Sequence, residues 1–311
     1  LDLVEKILRE GSVRGDRTGT GTRSIFGEKV VFDLREGFPI LTTKKMNLKG
    51  IVKELEWFMR GDTSLNYLLQ GENPVHIWNQ DSYRYYKEIG GMLDYDTFIS
   101  YVKEDKIRFH LGDIYGKQWR NYGPEQVDQL VELITGLYFN PEGRRHILNA
   151  WNPSDIKKGN MALPPCHVMT QWYINDDSEL DCQLYVRSND VFLGMPFNIS
   201  SYAIMMEVVA GVLGLTAGKL HYVIGDAHLY LNHLEQAEEI ITREPTSLPK
   251  IKIISNFDGL TLPDKSFEGQ FRHVIESNLN KLKLDFVLLD YYPQPHIKAP
   301  LSVGGESECK K

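Results

Sequence analysis

Cysteine is scarce in this chain: its 311 residues include three, Cys166, Cys182 and Cys309. An odd, sparse set builds no disulfide framework and fits a reducing compartment, which leaves a thiol free for chemistry. Positive charge is not in excess either. With 35 Lys and Arg against 42 Asp and Glu the formal net charge is −7, which argues against a generally basic nucleic-acid binder while leaving local arginine clusters able to hold a small anion. The sequence has no Walker-type or dinucleotide glycine fingerprint, no internal repeat, and no linker or charge block that would divide it into separate domains. Glycine (26) and proline (14) are at ordinary levels, so collagenous and low-complexity classes are excluded. Long hydrophobic runs are missing too. The most apolar stretch, Ala203 to Leu215, is short and carries Glu207, so it reads as a buried core helix and not a membrane span. No signal-peptide pattern opens the chain. These absences lead to the expectation of one cytoplasmic unit that buries a full core and needs neither a membrane nor DNA.

Several elements are legible. Leu3, Ile7 and Leu8 are spaced for a short N-terminal helix over Leu1 to Arg9, stopping at Gly11. Arg14 to Gly27, with four glycines among Thr18, Thr20 and Thr22, reads as a flexible loop rich in small donors. Leu48, Ile51, Val52, Leu55, Phe58 and Met59 recur at helical spacing, so Leu48 to Arg60 is an amphipathic helix with Glu54 at the margin of its apolar stripe. A carboxylate there is either a solvated edge residue or a base with a raised pKa. The Tyr-rich, charged segment 81–109 reads as an irregular insertion or lid. His167 to Ile174 and Leu180 to Val186 alternate in polarity around the turn residues Asn175 to Ser178, which predicts an antiparallel hairpin with Ile174 facing Glu179 and Cys166 opposite Arg187. Ser200 to Leu215 is expected to be a helix. Helices alternating with strands place the chain in the α/β (α+β) class, a single domain with a central sheet.

The chemistry gathers around Cys166. Two prolines fix the backbone of Leu163-Pro164-Pro165-Cys166-His167 just before a strand begins. Cys182, on the apolar face of its strand, reads as inert packing. An Arg187 guanidinium across the hairpin is expected to lower the Cys166 thiol pKa and supply a thiolate nucleophile. His167, the next residue along the strand, points to the other face and is poorly placed as a base, which weighs against protease chemistry. Arg17, Arg144, Arg145 and Arg187, with small hydroxyl neighbours including Ser188, suggest a phosphate clamp of bidentate forks.

The strings Asp16-Arg17-Thr18-Gly19-Thr20-Gly21-Thr22, Leu41-Thr42-Thr43-Lys44-Lys45, Glu54 with Trp57-Phe58, Tyr115-Gly116-Lys117-Gln118-Trp119-Arg120, Arg144-Arg145, Ala150-Trp151-Asn152, Pro164-Pro165-Cys166-His167, Arg187-Ser188-Asn189-Asp190, Gly194-Met195-Pro196-Phe197-Asn198 and Gly225-Asp226-Ala227-His228-Leu229-Tyr230 closely resemble the thymidylate synthase family, in family order from Asp16 to about Val303. The resemblance implies a central mixed β-sheet flanked by helices and a homodimer formed through that sheet. It implies that Cys166 adds to C6 of dUMP and that C5 then attacks the one-carbon unit of 5,10-methylenetetrahydrofolate, a co-substrate, with no metal. Arg187 would activate the thiol and, with Arg17 and Ser188, hold the phosphate, while Arg144 and Arg145 would reach in from the partner subunit. Asn198 would read the uracil amide edge. His228 and Tyr230 would hold the deoxyribose hydroxyl. Glu54 would organise proton transfer around O4, and Tyr115 would help remove the C5 proton. Trp78, Asn79, Asp190, Gly194 and Phe197 would border the folate.

The chain departs from the family pattern at Val186, where Gln is usual, at Asn79, where Asp is usual, and at Asp113, where Pro is usual. Eight residues, 304–311, follow Val303, where family members typically end on a carboxylate that helps shut the site; they are either a tail or a remnant of expression. A wetter site would let water take the methylene, giving 5-hydroxymethyl-dUMP and tetrahydrofolate as in the related phage deoxyuridylate hydroxymethylases. Retention of Asn198 argues against a dCMP enzyme. The expected product is dTMP with dihydrofolate, the hydroxymethylase outcome standing as the alternative and a non-catalytic nucleotide- or RNA-binding member as a remote one.

Overall fold

The computed structural model describes residues 1–302, so Val303, the tail 304–311 and Cys309 lie outside the described residues. In chain order the elements are α1 (Asp2–Glu10), β1 (Ser12–Arg14), β2 (Thr22–Asp33), α2 (Leu48–Met59), α3 (Leu65–Leu69), α4 (Asn79–Glu88), α5 (Tyr95–Lys103), α6 (Tyr115–Arg120), α7 (Gln129–Phe139), β3 (Ile147–Asn149), α8 (Pro153–Lys158), β4 (His167–Ile174), β5 (Glu179–Asp190), α9 (Gly194–Leu213), β6 (Thr216–Tyr230), α10 (Leu234–Ile241), β7 (Lys250–Ser255), α11 (Glu268–Asn280) and β8 (Leu284–Leu289). Six strands form the central sheet in the order β1-β2-β6-β5-β4-β3, and β7 pairs with β8 apart from it. The sheet is mixed: β5 and β6 run parallel, joined by α9, and the other neighbours are antiparallel. A parallel pair needs such a crossover, and a helix is the usual one.

The two faces of the sheet differ. On the inner face Leu180, Cys182, Leu184 and Val186 of β5 and Leu220, Tyr222 and Ile224 of β6 are fully buried, with Ala203, Ile204 and Met205 of α9 equally buried. A helix apolar on all sides belongs inside a core. Among the described residues α9 is the one helix long and apolar enough to cross a membrane, and most of it is buried within the fold. The opposite face carries Val31, Ile147, Tyr173 and Tyr185, all exposed, and no helix among the described residues covers them. Cys182 is packing, as expected.

Four expectations need correction. The Arg14–Gly27 segment is not a flexible loop: Thr22 onward is strand β2, and the turn before it is tied by the Asp16 carboxylate, which accepts from Thr18 N (2.8 Å) and Gly21 N (2.7 Å). Gly21 sits there at φ +78, where an L side chain is strained. The hairpin register is one residue off at its loop end, where Ile174 faces Leu180 and not Glu179. A bulge between His167 and Met169 then absorbs the slip, so His167 pairs with Val186 and Arg187 N donates to Cys166 O at 2.9 Å. The predicted Cys166–Arg187 opposition is therefore met because of an irregularity that the pattern did not contain. Helix α9 begins at Gly194, six residues before the expected Ser200, so Gly194, Phe197 and Asn198 stand on its opening turns.

The fourth correction is that 81–109 is not irregular, for it folds as most of α4 and all of α5. Asp94 caps α5 by accepting from Thr97 N at 2.9 Å. Fully buried Phe98 stacks on Tyr86 at 4.4 Å and meets Phe109 edge-on at 5.1 Å. Phe98→Ala should destabilise the protein by about 3–5 kcal/mol, the cost of emptying an aromatic site in a core. Urea unfolding checks this, and a loss below about 1 kcal/mol would mean that the pair of helices packs only loosely.

Candidate active site

Cys166 ends a proline-stiffened loop, and the carbonyls of that loop are held by one side chain. Arg187 donates through Nε to Pro165 O (2.9 Å) and through Nη2 to Pro164 O (3.0 Å), and Nη2 stands 3.7 Å from Cys166 Sγ. The guanidinium also lies 5.4 Å from the ring of Trp151. Strand β6 can run close behind because residue 225 is Gly: a Cβ there would meet Arg187 O at 2.7 Å. Below the thiol, Tyr115 accepts through its hydroxyl from Cys166 N (2.7 Å) and His167 N (3.4 Å). The backbone at Cys166 is thus fixed from both sides.

Burial sets the protonation states. The thiol of Cys166 is pushed up from its ordinary value by burial, Arg187 opposing, so the expected net lowering is not met: desolvation outweighs the guanidinium. Glu54, half-buried on α2, accepts from Trp78 Nε1 at 2.6 Å, and burial pushes its carboxyl up to about 7. It can carry a proton near neutrality. Burial lowers His167 to about 4, with a hydrogen bond to Asn198 opposing, and its ring packs 5.1 Å from Tyr115 and 5.3 Å from Tyr202. A neutral, enclosed imidazole fits its exclusion as a base.

Asn198 is oriented by a chain of polar groups. Tyr222 hydroxyl donates to Asn189 Oδ1 (2.7 Å), and Asn189 Nδ2 donates to Asn198 Oδ1 (3.1 Å). Sequence reasoning gave no role to Asn189 or Tyr222. Alternation along β5 turns Asn189 outward, and only the β5–β6 pairing reveals that it is buried. Asp190 Oδ1 accepts from Phe192 N (2.9 Å) and Leu193 N (3.1 Å), setting the entry into α9 where Gly194 and Phe197 lie. Buried Lys44 donates to Phe192 O at 2.7 Å, and burial lowers its pKa to about 8. His228 and Tyr230 end β6 with rings 5.2 Å apart, His228 Nδ1 donating to Asp226 at 3.0 Å; burial pushes Tyr230 up to about 12. Ser188 pairs with Asp226 across the parallel strands.

Not every expected residue joins this group. Arg144 and Arg145 are exposed beside edge strand β3, with β4 between them and β5, and their side chains make no hydrogen bond or ion pair among the described residues. Arg17 is exposed on the Asp16 turn. Asn79 is buried and donates to His76 Nδ1 at 3.1 Å, while Trp78 beside it packs against Phe58 and Tyr115 at 6.2 and 6.4 Å. No group of three or more His, Cys, Asp or Glu able to hold a metal occurs among the described residues.

A thiol with a guanidinium beside it, a protonatable carboxyl and an oriented amide on one α/β scaffold are the parts of an enzyme site able to form a covalent adduct with an anionic substrate. The family model described as thymidylate synthase matches residues 1–303. The chain is 47% identical over 282 residues to a thymidylate synthase of Mesoplasma florum, covering 88% of this chain and 96% of that protein. It is 42% identical over 334 aligned positions to the thymidylate synthase of Listeria monocytogenes, covering 97% and 99%, and equally so over 333 to that of Listeria innocua. The chain belongs to the thymidylate synthase family.

The raised Glu54 pKa has a sign in stability. Its folded value, about 7, exceeds the ordinary 4.5, so the folded state binds the extra proton between these values and loses stability as pH rises through that window. Glu54→Gln lacks this loss. Its melting temperature relative to the wild type should therefore climb from pH 4.5 to about 7.5 and then level off, as scanning calorimetry in matched buffers would read. A difference that does not vary with pH would return Glu54 to the solvated edge.

Proposed function

We propose that this enzyme transfers the one-carbon unit of 5,10-methylenetetrahydrofolate to C5 of dUMP, giving dTMP and dihydrofolate. The observation that carries the reading is the convergence of Arg187 and Tyr115 on Cys166 in a chain of this family. In this reading the Cys166 thiolate adds to C6 of the uracil, and the resulting C5 enolate attacks the folate methylene. Tyr115 assists loss of the C5 proton, and Glu54 exchanges protons around O4 from a pKa suited to that task. Elimination of the folate and hydride transfer from it then complete the methyl group and expel the thiolate. The names of the relatives favour this outcome over the 5-hydroxymethyl-dUMP alternative. They give no support to a non-catalytic role.

Binding roles follow the same proposal. Arg187, Arg17 and Ser188 take the phosphate, and His228 and Tyr230 the sugar hydroxyl. Asn198 accepts from N3–H and donates to O4, its amide held in register by Asn189 and His167. Trp78, Asn79, Asp190, Gly194 and Phe197 border the folate. Residues 1–303 form the catalytic unit, with 81–109 an insertion or lid. We place the enzyme in the cytoplasm, free of membrane and DNA, in line with its few cysteines. It acts as a homodimer through the uncovered sheet face, where exposed Val31, Ile147, Tyr173 and Tyr185 await a partner surface. Arg144 and Arg145 then serve the partner's phosphate site, which is consistent with their side chains having no hydrogen bond or ion pair among the described residues.

Cys166→Ser should bind dUMP yet lose turnover by about 10³-fold or more, since an alcohol near neutral pH supplies almost no alkoxide. With the wild-type enzyme, dihydrofolate absorbance should rise as dUMP is consumed, and mass analysis should find dTMP. A product heavier by one oxygen, with tetrahydrofolate conserved, would replace the synthase reading with the hydroxymethylase one.

Mixing a Cys166→Ala chain with an Arg144→Ala chain should restore activity, because the heterodimer contains one intact site. Native mass spectrometry verifies that heterodimers form. Heterodimers without activity would place the whole site in one chain.

A further inference from the structure

Helix α4 runs past the nucleophile loop, and one arginine on it uses all three guanidinium nitrogens. Arg84 Nη2 donates to Ala162 O at 2.6 Å, four residues before Cys166. Its Nη1 lies 2.7 Å from Asp81 Oδ1, and its Nε 3.4 Å from Glu88. The Arg84 and Asp81 side chains are 18% and 15% exposed, so this is an enclosed pair and not a surface one. Neither Nη1 nor Oδ1 has an aligned hydrogen bond, so the carboxylate depends on charge pairing. The next residue, Tyr85, donates its hydroxyl to Asn160 Oδ1 at 3.0 Å, a second tie to the same loop. At the helix start Trp78 donates to Glu54.

The geometry points to Arg84 as a positioning residue for the nucleophile: it fastens the Ala162–Cys166 loop to α4 and pairs with the enclosed Asp81 carboxylate on the same helix. The inference rests on Cys166 being the nucleophile. Arg187 braces the Pro164 and Pro165 carbonyls from the sheet side, and Arg84 braces Ala162 from the helical side. The loop is therefore held at both ends. The charges and titratable groups around Cys166 are Arg187 on β5, Arg17 on the turn before β2, Asp81 on α4, Tyr115 on α6, and Tyr222 and Tyr230 on β6. Among the charged groups of the described residues, Asp81 is the one that disfavours the thiolate, and Arg84 and Arg17 oppose its charge. Removing the arginine exposes the thiol to an unpaired anion, while removing the carboxylate relieves it. The two substitutions must act with opposite sign.

The test is the pH dependence of Cys166 alkylation by iodoacetamide, followed by peptide mass, beside kcat and KM for dUMP. Arg84→Gln should move the alkylation midpoint up by about half a unit or more and Asp81→Asn should move it down. Arg84→Gln should also lower kcat about tenfold with KM for dUMP changed less than about threefold, because chemistry and not binding depends on the loop. Arg84→Lys, which keeps the charge but loses the fork, should restore the midpoint and only part of kcat. Midpoints that shift in the same direction, or not at all, overturn the proposal. If Arg84→Gln fails to fold, Asp81→Asn and Arg84→Lys decide it. Alkylation needs no turnover, so an active Cys166→Ser enzyme would refute the nucleophile while the midpoints still report on Arg84.

Discussion

Arg187 commits two nitrogens to the carbonyls of Pro164 and Pro165 and brings a third contact to Cys166 Sγ, and the rest of the site depends on that brace. Hydrogen bonds from a charged donor contribute about 1.5–3 kcal/mol each when the partners are held in place. The acceptors are available because strand pairing starts only at His167, so the carbonyls of the preceding prolines have no partner in the sheet. The bulge after His167 brings Arg187 level with the thiol. Gly225 then lets β6 pass behind at a distance that no side chain would tolerate. Sequence, register and close approach thus converge on one guanidinium.

Around that brace, burial decides which groups carry charge. Glu54 near 7, His167 near 4, Lys44 near 8 and a raised Cys166 all move in the direction that desolvation dictates. Each is also offset by specific neighbours: Trp78 for Glu54, Asn198 for His167, Asp190 for Lys44, and Arg187 with Arg17 for Cys166. Near neutral pH a site of this kind holds Glu54 about half protonated and its thiol largely neutral. Arg187 bonds carbonyl oxygens and approaches the thiol, with no carboxylate paired to it among the described residues, so its charge is open to an anion.

Aromatic packing gives these polar groups fixed walls. Phe58 lies 4.8 Å from Tyr115, and Trp78 meets Trp57, Phe58 and Tyr115 edge-on. Edge-to-face contacts of this kind favour particular orientations as well as proximity. They hold the indole N–H on Glu54 and the phenol under the Cys166 backbone. Helix α4 continues that wall to the loop before Cys166, so the region beside Trp78 and the region beside Cys166 share one rigid element.

Local sequence was sufficient for the family, the amphipathic helix bearing Glu54, the strand alternation that hides Cys182 and the proline-stiffened loop before Cys166. Periodicity, turn chemistry and motif order need no knowledge of distant partners. The remainder came from tertiary contacts. The register slip and its bulge, the burial of Asn189 against Tyr222, the order of α4 and α5 and the Arg84–Asp81 pair depend on segments far apart in the chain. Alternation patterns assume a regular strand, so they misread the places where a bulge or a parallel neighbour reverses which face is covered. The thiol shows the same limit. An arginine across a strand is readable from sequence, but the desolvation that outweighs it is a property of the whole surrounding core.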